Sequence, residues 1–221
     1  MPPNAPVLME ATRAIGYSIE TAVADIVDNS VTANATQVHI MFFPVGNPYV
    51  AIMDNGDGMN KDEIKNAMRY GSKNPLDARA LGDLGRFGLG LKTASMSQCR
   101  RLTVISKKCD EIIGAQWDLD FIESTNDWSL KLLNSDDVAD IPHIGQLKEN
   151  NTGTLVVWQA LDRLSLGELN FDQIMGKYMD RVREHLSLVF HRYLSGEQGI
   201  KKVEILMNNV RLEPIDPFFI G

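Results

Sequence analysis

Asp25 and Asn29 stand four residues apart in "SIETAVADIVDNSVTA" (18–33), where Val23, Ile26, Val27 and Val31 recur with a helical period. On a helix, that spacing puts both side chains on one face, a turn apart. A carboxylate in that place can orient and deprotonate a water. An amide oxygen can ligate Mg2+, a hard cation that takes oxygen ligands and keeps several of its waters. The polar side also fits a plain solvated helix face, with Asp28 as a further acid beside Asn29.

A second cluster is "DNGDGM" (54–59), which ends an apolar strand pattern. A carboxylate at a strand end, Asp54, can accept a hydrogen bond from an exocyclic amine such as that of adenine. Gly56 and Gly58 let a flat ring approach the backbone. An acidic turn or a calcium loop are the competing readings. Calcium fits poorly, because the next acids, Asp62 and Glu63, belong to a helix that Asn60 caps. The third cluster is "DLGRFGLGLKTAS" (83–95), where Gly85, Gly88 and Gly90 precede a helix-like run carrying Lys92. Free backbone N–H groups at a helix start favour anions, and a lysine adds a full charge. The spacing matches neither GxxxxGK[ST] nor GxGxxG, so alone it also fits a tight turn before a helix.

These clusters need elements to hold them. "QVHIMFF" (37–43) and "YVAIMD" (49–54) read as strands of a hairpin around "PVGNP". "NKDEIKNAMRYG" (60–71) reads as a helix with an Asn60–Glu63 capping box and Gly71 at its end. Residues 72–84 lack periodicity and read as a mobile loop. Strands follow at 101–107, 111–119, 128–133 and 153–161, then a long helix at 171–194 and a last strand at 201–208. The order predicts an α+β fold: a two-layer sandwich with a mixed β-sheet and helices on one face.

The totals set bounds. The chain has 221 residues, 44% hydrophobic content and a net charge of -7. That allows one sizeable domain and gives no general attraction to nucleic acid or anionic lipid. Cys99 and Cys109 form no CxxC pair and the four histidines are scattered, so neither a disulfide framework nor a zinc site is expected. No signal peptide or spanning apolar run is present, and a cytoplasmic location without membrane attachment is expected.

Taken in order, the acid-plus-Asn helix, the strand ending in DxGxG, the aperiodic stretch, the glycine run and "NTGTLVVW" (151–158) resemble the nucleotide site of the GHKL ATPases. That group includes gyrase B-type topoisomerases, heat-shock chaperones, MutL-type mismatch-repair proteins, histidine kinases and the MORC proteins. "GLGLKTAS" and "NNVRLEPIDPF" are most similar to the MORC-like branch. The motifs cover about residues 15–160.

The resemblance implies a Bergerat-type ATP-binding fold and binding of ATP or ADP with Mg2+. Asp25 would be the catalytic base and Asn29 the metal ligand. Asp54 would hold the adenine amino group, with Thr154 assisting through water and Gly56, Gly58 and Met59 bordering the base. Gly85, Phe87, Gly88, Leu89 and Gly90 would wrap the phosphates, with Lys92 and Lys73 as further contacts. Residues 71–87 would form a lid, between an N-terminal arm and short helix (1–17) and the start of a linker at 213–221, the ATP-binding domain running from 18 to 212.

The implied activity is slow Mg-dependent ATP hydrolysis that drives lid closure and homodimerisation of a larger protein, with nucleic acid met through other domains. Two departures stand out. The base is Asp25 where the family has Glu, and Thr32 occupies the place of a usual acid. A non-catalytic nucleotide-gated module and a chaperone-like ATPase are therefore the alternatives. A histidine-kinase phosphotransferase is disfavoured, because that branch lacks an acid four before its Mg2+-binding Asn.

Overall fold

The computed structural model describes residues 4–14, 16–69, 90–164 and 171–217. Helix α1 (Ala5–Arg13) starts where Asn4 accepts from the Val7 N–H, with proline in the first turn. The opening stretch is thus not all loose arm: Ala5 and Met9 are buried in the core. Helix α2 (Ile19–Thr32) is capped by Ser18 and buries Ala22, Val23, Ile26, Val27 and Ser30.

Strands β1 (Gln37–Phe43) and β2 (Tyr49–Asp54) form the expected antiparallel hairpin, pairing Val38 with Asp54 and Phe43 with Tyr49. Helix α3 (Lys61–Met68) carries the capping box in full: Asn60 accepts from the Asp62 and Glu63 N–H groups, and Glu63 accepts from the Asn60 N–H. It ends earlier than expected, because Arg69 is already extended (φ -72°, ψ 129°). Helix α4 (Gly90–Met96) leads into the β3 (Arg101–Lys108) and β4 (Glu111–Asp118) hairpin. Cys109 and Asp110 close that hairpin with φ of 51° and 63°, the handedness a two-residue turn needs.

Then come α5 (Leu119–Thr125), β5 (Lys131–Leu133), α6 (Ile144–Glu149) and β6 (Gly153–Gln159). The long C-terminal helix divides at Phe190 (φ -99°, ψ 16°) into α7 (Phe171–Val189) and α8 (His191–Ser195). Strands β7 (Glu204–Met207) and β8 (Val210–Arg211) complete the order.

The strands form one mixed sheet in the order β5-β4-β3-β6-β2-β1-β7-β8. β1 and β7 are parallel and the other neighbours antiparallel. Alternation assigns the faces. Val50, Ile52, Leu102, Val104, Val156 and Trp158 join the main core with α2, α4 and α7. Ala51, Met53, Ile105, Leu155 and Val157 face the other way, under Val138, Ile144 and Leu147. The sandwich is therefore α+β with its helices on one face, and the short α6 with the turn before it covers part of the other.

The decisive topological step is the insertion of β6 between β2 and β3. It aligns Thr154 with Asp54 on one side and with Ser106 on the other. Three side chains distant in sequence thereby form a row on the helix-bearing face.

Candidate functional site

Asp54 closes β2 and is buried, at 7% exposure. Its Oδ1 accepts from the Gly56 N–H at 2.9 Å and the Thr154 N–H at 3.2 Å. Its Oδ2 accepts from the Ser30 hydroxyl at 2.9 Å. Burial raises the Asp54 carboxyl above the usual range, and these three donors oppose the rise. Ser30 lies one turn after Ile26 on α2, so this bond ties the acid-plus-Asn helix directly to the strand end. Ser30 was not among the residues singled out by sequence. It sits on the apolar stripe, and the only signal was a small polar residue directly after Asn29.

The 54–59 turn is held tightly on both sides. Asn55 Oδ1 accepts from the Thr36 and Gln37 N–H groups, both at 2.9 Å. The Asp57 N–H donates to the Ala33 carbonyl at 2.8 Å, and its carboxylate accepts from Asn34 Nδ2 at 2.7 Å. These polar groups anchor the turn to the segment between α2 and β1, which explains an acidic turn without a cation. Gly56 is required there, since an added Cβ would lie 2.6 Å from the Ala33 carbonyl oxygen. Gly58 has φ +67°, and its Cβ would lie 2.1 Å from the Lys107 carbonyl oxygen. The Met59 N–H donates to Ser106 Oγ at 2.7 Å, fixing the end of the turn to β3.

Asp25 is half-buried and Asn29 exposed on the outer side of α2. Burial raises the Asp25 carboxyl, and a hydrogen bond from Tyr17 lowers it in part. Burial raises Asp28 as well, and the neighbouring Asp25 charge adds to this. Gly90 begins α4 next to that acid: a Cβ on it would come 3.5 Å from Asp25 Oδ2. The first and third clusters therefore meet.

Lys92 is turned inward. Its Nζ donates to the Ala67 carbonyl at 2.8 Å, and burial pushes its pKa down to about 8. Trp117 Nε1 donates to the next carbonyl, Met68, at 2.8 Å. Together they satisfy the last carbonyls of α3. The bond to Ala67 uses one of the three N–H donors of the ammonium. Lys73, Gly85, Phe87, Gly88, Leu89 and the 71–87 stretch, with Gly71, lie outside the described residues.

A buried carboxylate at a strand end, tied to an acid-and-amide helix and flanked by a glycine turn, on a mixed sheet with helices on one face, defines a Bergerat-type nucleotide-binding domain. Residues 17–154 match the family model of histidine kinase-, DNA gyrase B- and HSP90-like ATPases, and the chain belongs to that family. Among curated proteins it is 34% identical over 96 residues to ATPase morc-1 of Caenorhabditis elegans, covering 43% of this chain and 11% of that protein. It is 34% identical over 91 residues to the DNA mismatch repair protein MutL of Colwellia psychrerythraea, covering 39% of this chain and 14% of that one. The MutL of Azorhizobium caulinodans is 32% identical over 108 residues, covering 46% of this chain and 17% of its own length. The matched part is thus a small fraction of each relative.

Proposed function

We propose that the chain binds Mg-ATP between α2, the 54–59 turn and the start of α4, and hydrolyses it slowly. The observation that carries this is the Asp54 carboxylate. It is buried and held by Ser30, Gly56 and Thr154, and among the described residues its Oδ2 accepts from Ser30 alone. A fixed carboxylate with acceptor capacity to spare fits the 6-amino group of adenine. Gly56, Gly58 and Met59 border the base, and Thr154 assists. The glycines at 85, 88 and 90, with Phe87 and Leu89, cradle the phosphates, and Lys73 and Lys92 add charge.

The exposed Asn29 amide oxygen would hold Mg2+, which when bound neutralises phosphate charge. Asp25 orients the attacking water and takes its proton, its raised carboxyl pKa moving it toward the range of a working base. Nucleotide-dependent closure of 71–87 and dimerisation of a larger protein follow from the family resemblance, as does action on DNA through other domains.

One observation favours a second reading, a nucleotide-gated module without turnover. Asp25 is one methylene shorter than the family's Glu, and a misplacement of about 1 Å costs about 100-fold in rate. Phosphate release by wild type and Asp25→Ala, alongside calorimetric titration with Mg-ATP, separates the two. Micromolar binding by both proteins with release only from wild type is expected. Equal background release supports the module. No saturation at millimolar nucleotide refutes both.

A further inference from the structure

Ser106 sits on β3 at the register position of Thr154, which faces Asp54 on β2. Its hydroxyl is fully buried and has three polar neighbours. Ser106 Oγ accepts from the Met59 N–H at 2.7 Å, lies 2.9 Å from the Gly153 carbonyl oxygen, and lies 3.0 Å from Thr154 Oγ1. An N–H only donates and a carbonyl only accepts, while a serine hydroxyl has one proton. That proton therefore goes to Gly153. Thr154 must then donate its own hydroxyl proton to Ser106, and Thr154 Oγ1 is left with lone pairs alone for anything outside this chain of bonds.

The surroundings give this order little freedom. Gly153 has φ +153°, and its virtual Cβ lies 2.2 Å from the Asp54 carbonyl oxygen, so β6 is pressed against the end of β2 at this point. The Met59 N–H, coming from the 54–59 turn, occupies one lone pair of Ser106. Turn, β3 and β6 thus converge on one hydroxyl.

We propose that Ser106 is a positioning residue for base selection. By taking the Thr154 proton it makes Thr154 an acceptor, so that Asp54 and Thr154 together select a 6-amino purine and reject a 6-oxo purine. This rests on the reading that the purine lies against Asp54, and it takes Thr154 as a direct partner of the base's 6-position where the family resemblance implies one reached through water. A 6-oxo oxygen would meet lone pairs from both side chains, whereas a 6-amino group offers them N–H donors.

The test compares dissociation constants of Mg-ATP and Mg-inosine triphosphate for the full chain, in wild type, Ser106→Ala, Thr154→Val and the double variant. Wild type prefers ATP. In Ser106→Ala the freed Thr154 hydroxyl can turn and donate to a 6-oxo group, so the preference narrows about 5–10-fold, the worth of one neutral hydrogen bond. In the Thr154→Val background, Ser106→Ala narrows it no further. A merely structural Ser106 would weaken both nucleotides alike, and an unchanged ratio in Ser106→Ala overturns the proposal. Equal narrowing in the Thr154→Val background overturns it too.

If the alanine variant does not fold, Ser106→Cys is close in size and its thiol is a weak donor and acceptor. It must narrow the ratio in the same direction, and an unchanged ratio there has the same adverse meaning. Asp54→Asn keeps the two failures apart. Loss of ATP binding in Asp54→Asn with an unaltered ratio in Ser106→Ala removes only the role of Ser106. A wild type that binds neither nucleotide, or both equally, removes the adenine reading and this proposal with it.

Discussion

Replacing Asp54 by asparagine separates the support of the fold from recognition of the base. The amide oxygen can take the place of Oδ1 and keep the Gly56 and Thr154 N–H bonds, at 2.9 and 3.2 Å. The amide NH2 then faces Ser30 where Oδ2 stood. Ser30 can accept from it, because its own proton has an alternative acceptor in the Ile26 carbonyl at 3.2 Å. All three local bonds survive in altered form, and the cost of burying a charge is removed. Stability should therefore change by no more than about 1 kcal/mol, the worth of one net hydrogen bond. That is a Tm shift of about 2–4 °C for a domain of this size.

The ligand side is different, because the free acceptor becomes a donor aimed at the adenine amine. Losing a hydrogen bond to a charged acceptor costs about 1.5–3 kcal/mol. That corresponds to about 10–150-fold weaker Mg-ATP binding. Titration calorimetry beside a thermal melt reads both quantities. Acidification should also weaken ATP binding to wild type, from a higher pH than an ordinary carboxylate would give, since burial raises Asp54. It should do so less in Asp54→Asn. Undiminished ATP affinity in a folded Asp54→Asn variant, or equal loss for ATP and GTP, refutes the reasoning.

Tyr17→Phe removes the hydrogen bond that lowers Asp25, so the acid limb of the ATPase pH–rate profile should move to higher pH; an unmoved limb, or one at lower pH, contradicts Asp25 as the base. Gly153→Ala should cost about 2–3 kcal/mol, because its Cβ would lie 2.2 Å from the Asp54 carbonyl oxygen at a φ that L-residues rarely adopt; a stability within about 0.5 kcal/mol of wild type by chemical denaturation, the precision of such extrapolations, would show that β6 can retreat. Lys92, pushed down to about 8, leaves the unfolded chain holding more protons between that pH and the ordinary lysine range. Its contribution to stability should therefore rise as pH increases through that window. The wild-type minus Lys92→Met difference in unfolding free energy should show that rise, and a flat or falling difference contradicts it.

Local structure was legible wherever the signal lies within a few residues. The Asn60–Glu63 capping box and the β1–β2 hairpin stand as read. The division at Phe190 was not legible, because the apolar period continues through it. Helices α5 and α6 are a turn or two long, too short for a period to stand out. Residues 128–130 carry an apolar pattern, yet only Lys131–Leu133 pairs with β4. Asp54 and Thr154 could be linked through family motifs, but not by spacing, since β6 reaches β2 only through the sheet order.

Ser106 marks the same limit. It occupies an inward position after Leu102 and Val104, and a small polar residue in such a row signals a buried bond without naming its partner. Lys92 reads in sequence as a charge beside glycines, and packing against α3 gives its ammonium the Ala67 carbonyl.

The central claim is that α2, the end of β2 and the start of α4 surround one adenine nucleotide. A crystal structure of the chain with excess magnesium and a non-hydrolysable ATP analogue tests it most directly. The adenine amino group should lie within hydrogen-bonding distance of Asp54, with a divalent ion on Asn29 and the γ-phosphate on the Asp25 side. Nucleotide bound elsewhere, or none between these elements at saturating concentration, would contradict it.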